Sequence, residues 1–333
     1  MDGLTRPRIY ITQPVAQSAI ERLKSVAEVE LNTDSVHIPG KDELIEAVRR
    51  NDILFCLLHD RVDGDVIAAN PGLQMIASMK ITPSDLDVAA ATSRHIPVTV
   101  IPPIVTEATA DIHFALLLAV ARRLVEGDRL VRAGVFPGSQ SSHLAGAGVS
   151  GKTIGLIGGG GRIGRAVAKR AHGFDMRVLY WTPRRKPEAE EREAGITYVP
   201  FDQLLAESDF VSMHAPLAPE TRHLMGAREF GLMKPTAFFI NTARGGVVDE
   251  AALTHALAER RIAGAGLDVF ENEPHVAPAL LAMTNVVLTP HLGSAVAELR
   301  EIMAHIVVDN ILAVLEGKQP PNCWNTEIYA AKK

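Results

Sequence analysis

The chain has 333 residues, too many for one ordinary hydrophobic core and comfortable for two domains. Its formal net charge of -5 argues against a nucleic-acid binder, which normally presents a basic face. Cys56 and Cys323 are the two cysteines, with no CxxC pair, so the sequence offers neither a disulfide framework nor a thiolate zinc site, and no metal is expected. Met1 to Tyr10 lacks an apolar signal core, and the longest greasy stretch, Phe114 to Val120, is too short to span a bilayer. The expectation is a cytoplasmic protein with no membrane contact.

Short apolar runs alternate with helical patterns from the start. Ile9–Thr12 reads as a strand, Ala16–Val26 and Asp42–Arg50 as amphipathic helices, and Ile53–Leu58, Gln74–Ser78 and Pro97–Val100 as strands. Thr106 to Arg123 is a long helix, with Thr106 placed to cap it and Glu107 in its first turn. Gly134 to Gly148, rich in Gly and Ser, reads as a loop or arm. A second alternating run follows. Its strands are Ile154–Ile157, Arg177–Trp181, Phe210–Met213, Phe238–Asn241, Ala265–Val269 and Val286–Leu288. Its helices are Arg162–Phe174, Phe201–Glu207, Glu250–Glu259 and Val296–Leu315. Strand, helix, strand in series implies α/β architecture with parallel sheets covered by helices on both faces.

The first strand of the second run ends in Gly158-Gly159-Gly160-Gly161-Arg162-Ile163-Gly164 and opens a helix. Gly159, Gly161 and Gly164 fit G-x-G-x-x-G. Such a turn needs glycine for positive φ, for close approach of a pyrophosphate and for tight helix–strand packing. The helix N-terminus at Arg162 and Ile163 offers backbone N–H groups and a partial positive charge to phosphates. Strand Arg177–Trp181 is followed by Thr182-Pro183-Arg184-Arg185-Lys186, with no carboxylate to bond the ribose hydroxyls. Thr182, Arg184 and Arg185 suit a 2′-phosphate instead, so NADP(H) is favoured, with NAD(H) as the alternative.

Three later segments each follow an apolar strand: Asn241 to Asp249, Gly266 to Pro274, and Thr289 to Ser294. Each therefore reaches the carboxyl edge of a parallel sheet, where open α/β sheets bind ligands. They bring Arg244, His291 and one of two acids, Glu271 or Glu273, to that edge.

With these motifs in this order, the chain resembles the D-isomer-specific 2-hydroxyacid dehydrogenase family from Ile9 to about Leu315. The resemblance implies two Rossmann-like domains. A cofactor domain, residues 103–293, is inserted into a discontinuous substrate domain, residues 1–102 and 294–333, and the active site lies in the cleft. It implies an NAD(P)-dependent oxidoreductase that interconverts a small 2-oxo acid and its D-2-hydroxy acid, as glyoxylate/hydroxypyruvate reductases do. His291 would donate the proton, since imidazole titrates near neutrality. The acid before Pro274, Glu273, would hydrogen-bond the other ring nitrogen and favour imidazolium. Arg244 would clamp the substrate carboxylate. His214 and Thr221 match the loop beside the cofactor, Thr242 and Ala243 the backbone passing the nicotinamide ribose, and Asp268 the acid near the nicotinamide amide. A homodimer through the cofactor domain is implied, with the Arg122–Gly148 arm burying Leu124 and Phe136.

Two departures stand out. Four glycines run in a row where the family has Gly-x-Gly, which leaves the register of Gly158 to Gly161 on the pyrophosphate open by one residue. The family's glycine-rich substrate loop reads here Met79-Lys80-Ile81-Thr82-Pro83-Ser84. Pro83 removes an N–H, and Lys80, with Ile81 and Thr82, becomes the candidate substrate contact. A lysine in this loop keeps open a dehydrogenase of a small inorganic or one-carbon anion, phosphite or formate. A third alternative is a non-catalytic, NAD(H)-sensing corepressor of the same fold.

Overall fold

The computed structural model describes residues 6–330; residues 1–5, part of the segment read above for a leader, and 331–333 lie outside the described residues. The chain divides into two compact units, residues 1–104 with 295–333, and residues 105–294.

The first unit holds β1 (Arg8–Ile11), β2 (Glu28–Leu31), β3 (Ile53–Cys56), β4 (Met75–Ser78) and β5 (Val98–Thr99). They form a parallel sheet in the order β2-β1-β3-β4-β5. β3 and β4 are buried at every position, because helices cover both faces, and they read as unbroken apolar runs. β2 is the edge strand, and its Glu-Val-Glu-Leu leaves the carboxylates at the margin. The helix Ala297–Leu315 returns to pack on the helix Gln17–Val26 and on β4. The C-terminal segment then closes on β5, where Asn325 Oδ1 accepts from Val98 N at 2.8 Å and Trp324 N donates to Val98 O at 2.8 Å.

The second unit holds β6 (Thr153–Ile157), β7 (Arg177–Trp181), β8 (Thr197–Tyr198), β9 (Phe210–Met213), β10 (Phe238–Asn241), β11 (Gly264–Leu267) and β12 (Val286–Leu288). All neighbours are parallel, in the order β12-β11-β10-β9-β6-β7-β8. The order runs outward in both directions from the β6–β9 pair. That pair is the topological switch point, beyond whose carboxyl ends ligands bind in doubly wound sheets.

Side chains alternate between two cores. Leu179, Val211, Met213, Phe239 and Leu267 pack on one face. Ile154, Leu156, Tyr180, Phe210 and Ile240 pack on the other, under the helices Thr106–Ala121 and Arg162–His172. Thr106 does not cap its helix: the N-cap position is Val105, which has no side-chain cap, and Thr109 Oγ1 donates back to Val105 O at 2.9 Å. A further helix, Leu124–Arg132, precedes the arm and buries none of its residues. Among the described residues no helix is long and apolar enough to cross a membrane.

Candidate active site

The glycine turn sits at the end of β6. Gly158 has φ +82°, and a Cβ there would lie 2.7 Å from Ala215 N and from the carbonyl carbon of His214. A Cβ on Gly159 would meet Leu156 Cβ at 2.5 Å, and one on Gly164 would meet Gly159 Cα at 2.5 Å. Gly158 thus takes the positive-φ position, and Gly159 and Gly164 allow helix and strand to touch. Gly161 is the N-cap of the helix, so the N–H groups of Arg162, Ile163 and Gly164 lack intrahelical acceptors and point beyond the sheet edge. That is what a pyrophosphate site needs.

Across the switch point, His214 N closes on Ile157 O at 2.7 Å. The ring Nε2 lies 2.6 Å from Ser212 Oγ, and His113 Nε2 lies 3.0 Å from the same oxygen. One hydroxyl proton cannot serve both rings, so one imidazole donates to the serine and the other accepts from it. Burial pushes the His214 pKa down to about 3 and that of His113 well below its usual value. Both rings are therefore neutral. The Nδ1 atoms of both, and Thr242 Oγ1, are buried without a hydrogen-bond partner. Thr221 Oγ1 accepts from Ala218 N at 2.8 Å and donates to Pro216 O at 2.6 Å, closing the loop that follows His214.

β10, β11 and β12 are neighbours, and their ends carry the reactive groups. Asn241 shapes the first turn: its Oδ1 accepts from Ala243 N at 3.0 Å and its Nδ2 donates to Arg244 O at 3.0 Å. Gly245 follows. A Cβ there would lie 1.9 Å from Phe270 C and O, so only glycine lets the Arg244 turn lie on the Phe270–Glu271 peptide. Asp249 caps its own helix through Ala252 N, and Glu250 Oε2 accepts from Glu271 N at 3.0 Å.

The two acids separate cleanly. Glu271 Oε1 is 2.6 Å from His223 Nε2 and 3.1 Å from Arg222 NH2, so it braces the neighbouring loop. Glu273 Oε1 accepts from Phe270 N at 3.0 Å, and its Oε2 lies 2.8 Å from His291 Nδ1. A carboxylate only accepts, so His291 carries a proton on Nδ1. His291 sits at φ +55°, in the left-handed region. Its loop is held there by Asp268, whose carboxylate accepts from Thr289 Oγ1 (2.6 Å), Leu292 N (2.7 Å) and Gly293 N (2.9 Å). Burial raises the Asp268 pKa, and these hydrogen bonds oppose the rise. Asp268 is thus a positioning group for His291, a role the sequence did not disclose.

The family model for the D-isomer specific 2-hydroxyacid dehydrogenase NAD binding domain matches residues 114–293. A glyoxylate reductase of Thermococcus litoralis is 47% identical over 330 residues, 98% of this chain and 99% of that protein. The chain belongs to the D-isomer specific 2-hydroxyacid dehydrogenase family. Among solved structures, a protein of Thermus thermophilus is 41% identical, with a TM-score of 0.85 over 95% of this chain and 99% of that one. An NADPH-dependent glyoxylate/hydroxypyruvate reductase of Sinorhizobium meliloti, in complex with NADP and malonate, is 32% identical, with a TM-score of 0.76 over 97% and 98% of the two chains. This dehydrogenase is an NAD(P)-dependent oxidoreductase of small 2-oxo or 2-hydroxy acids.

The remaining candidate residues of the dehydrogenase fall into two groups. Beyond β7, Thr182 Oγ1 donates to Arg184 O at 2.7 Å, and the Arg184 side chain is exposed. Arg185 is engaged instead by Glu191, through Nε and NH2 at 2.8 Å each. In the other unit Lys80 is buried, 2% exposed, neither solvated nor extended. Its Nζ donates to Asp60 O at 2.9 Å and Ser84 O at 2.8 Å, so the loop Met79–Ser84 folds around its own ammonium. Ile81 is half-buried and Thr82 exposed on that loop. Asp60, also fully buried, accepts from Leu57 N at 2.6 Å and from Thr12 Oγ1. Burial raises its pKa. Neither Asp60 nor His113 stood out in the sequence. Their signal is burial, which a single carboxylate or imidazole on an apolar strand or helix does not announce.

Proposed function

We propose that the protein reduces a small 2-oxo acid, glyoxylate or hydroxypyruvate, to the D-2-hydroxy acid with NADPH, and that His291 is its general acid. The observation that carries this reading is the 2.8 Å contact of His291 Nδ1 with Glu273. NADPH, with its pyrophosphate held at the β6 turn, would supply a hydride for the carbonyl carbon. His291 delivers the proton from Nε2 to the carbonyl oxygen as negative charge builds there. Glu273 stabilises the imidazolium beforehand and keeps the ring aimed. Arg244 clamps the carboxylate with two parallel N–H donors, which a lysine cannot do. Neutral His214 and His113 add no charge beside the cofactor turn, and Thr242 Oγ1 and His214 Nδ1 gain acceptors or donors when the nucleotide is bound. General acid catalysis of this kind contributes about 10² to 10⁴ in rate.

NADPH is preferred on this reading because no carboxylate stands in Thr182–Lys186, directly after β7, to meet a 2′-phosphate unfavourably, while Thr182, Arg184 and nearby cations can meet it. The substrate loop is Met79–Ser84, with Lys80, Ile81 and Thr82. A second copy of the chain covers the arm, where Leu124 and Phe136 are 63% and 80% exposed. Turnover of a panel of 2-oxo acids, phosphite and formate with NADPH and NADH tests the assignment. Fastest kcat/KM on glyoxylate or hydroxypyruvate with NADPH supports it; no turnover of any 2-oxo acid removes it.

A further inference from the structure

The additional glycine of the turn has a partner. Gly158, Gly159 and Gly164 answer to backbone geometry, and Gly161 to the helix start. Gly160 answers to none of these: a Cβ there would lie 2.8 Å from Lys186 Cε, 2.9 Å from Cγ and 3.4 Å from Cδ. The only atoms it would displace at those distances belong to one flexible side chain. Gly160 is buried beneath the stem of Lys186.

Lys186 is seated there by a short relay. Lys186 N donates to Tyr180 Oη at 2.9 Å, and Tyr180 Oη donates to Glu191 Oε1 at 2.7 Å. Arg185 donates twice to the same carboxylate, which is 7% exposed. The hydrogen bonds from Arg185 and Tyr180 hold the Glu191 pKa down to about 2. Glu191 thereby neutralises Arg185 and occupies its fork. Among the described residues no carboxylate oxygen lies within ion-pair distance of Lys186 Nζ.

We propose that Lys186, seated on Gly160, is the cation that meets the 2′-phosphate of NADP(H), and that Arg185 does not contact the cofactor but holds Lys186 in place. The proposal rests on the NADP(H) reading above. The pyrophosphate has its own donors in the N–H groups of Arg162, Ile163 and Gly164. Lys186 approaches from the loop after β7, the side from which adenosine ribose is read. The row of four glycines is then explained: the turn omits a side chain at residue 160 so that a lysine stem can lie across it.

Direct titration of NADPH and NADH against wild type, Lys186→Met, Gly160→Ala and the double variant tests this. Lys186→Met weakens NADPH about tenfold, the worth of one charge-assisted contact, and leaves NADH within about twofold. Gly160→Ala, which pushes Lys186 aside without meeting backbone, weakens NADPH in the same direction. The double variant is no weaker than the weaker single variant, because both changes remove one contact. NADPH affinity unchanged in both single variants, or an equal loss for both cofactors, overturns the proposal. A wild type that binds NADH more tightly removes the NADP(H) reading itself. A wild type that prefers NADPH while Lys186→Met keeps that preference removes only the role of Lys186.

Discussion

Replacing Glu273 by glutamine changes one proton-accepting oxygen and almost no volume. The amide oxygen still accepts from Phe270 N, now 3.0 Å from Oε1, so the loop keeps its anchor. The amide nitrogen then faces His291 Nδ1 at the position of Oε2, 2.8 Å away, and offers a hydrogen where the ring needs an acceptor. Imidazolium has two N–H groups, so it loses its partner, and the neutral ring is forced to carry its proton on Nε2. A hydrogen bond to a charged group is worth about 1.5–3 kcal/mol. The two side chains are 18% and 19% exposed, too little for water to replace the lost oxygen fully. Glu273→Gln should therefore lower kcat/KM by about 10- to 100-fold. The assay is NADPH oxidation with glyoxylate, with cofactor affinity measured in parallel. Wild-type turnover would refute the argument that this carboxylate sustains the proton donor.

Arg244→Lys keeps the charge and loses the fork, so KM for the 2-oxo acid should rise by about 10- to 100-fold, read from initial rates with NADPH affinity as control. Lys80→Met removes the Nζ contacts to Asp60 O and Ser84 O and leaves these carbonyls to find water. Unfolding should become easier by about 1–3 kcal/mol in denaturant titration, and KM for the 2-oxo acid should rise several-fold. The neutral pair His113 and His214 fixes a sign for acid stability. Folded pKa values below the unfolded value of about 6.5 give stability that is present above that pH and lost as pH falls toward the folded value of about 3 for His214. Each histidine should add about 1.4 kcal/mol per pH unit to that loss, so a pH 4–7 melting series on His113→Phe should show a shallower decline than wild type.

The parallel strands and the β6 turn are legible because buried parallel strands write themselves as unbroken apolar runs. β2 is not: its Glu28 and Glu30 sit at an edge where burial asks little, and the run Glu-Val-Glu-Leu lacks an apolar core. The helix Leu124–Arg132 escapes notice for a related reason, since none of its residues is buried in the described chain. At the site, spacing alone leaves Glu271 and Glu273 equal. What separates them is the third dimension: His223, some fifty residues upstream, takes Glu271, and His291 takes Glu273. The engagement of Arg185 is hidden likewise, because Glu191 lies on a short helix of Glu-rich sequence whose inward residue no periodicity marks.

The central claim is that His291 gives the proton while the nucleotide is held by other groups. Single-turnover reduction of glyoxylate by His291→Gln, with NADPH affinity titrated on the same preparation, tests it most directly. The expected result is a rate lower by about 10² or more with NADPH affinity within about twofold of wild type. Turnover near that of wild type, with cofactor bound normally, would contradict it.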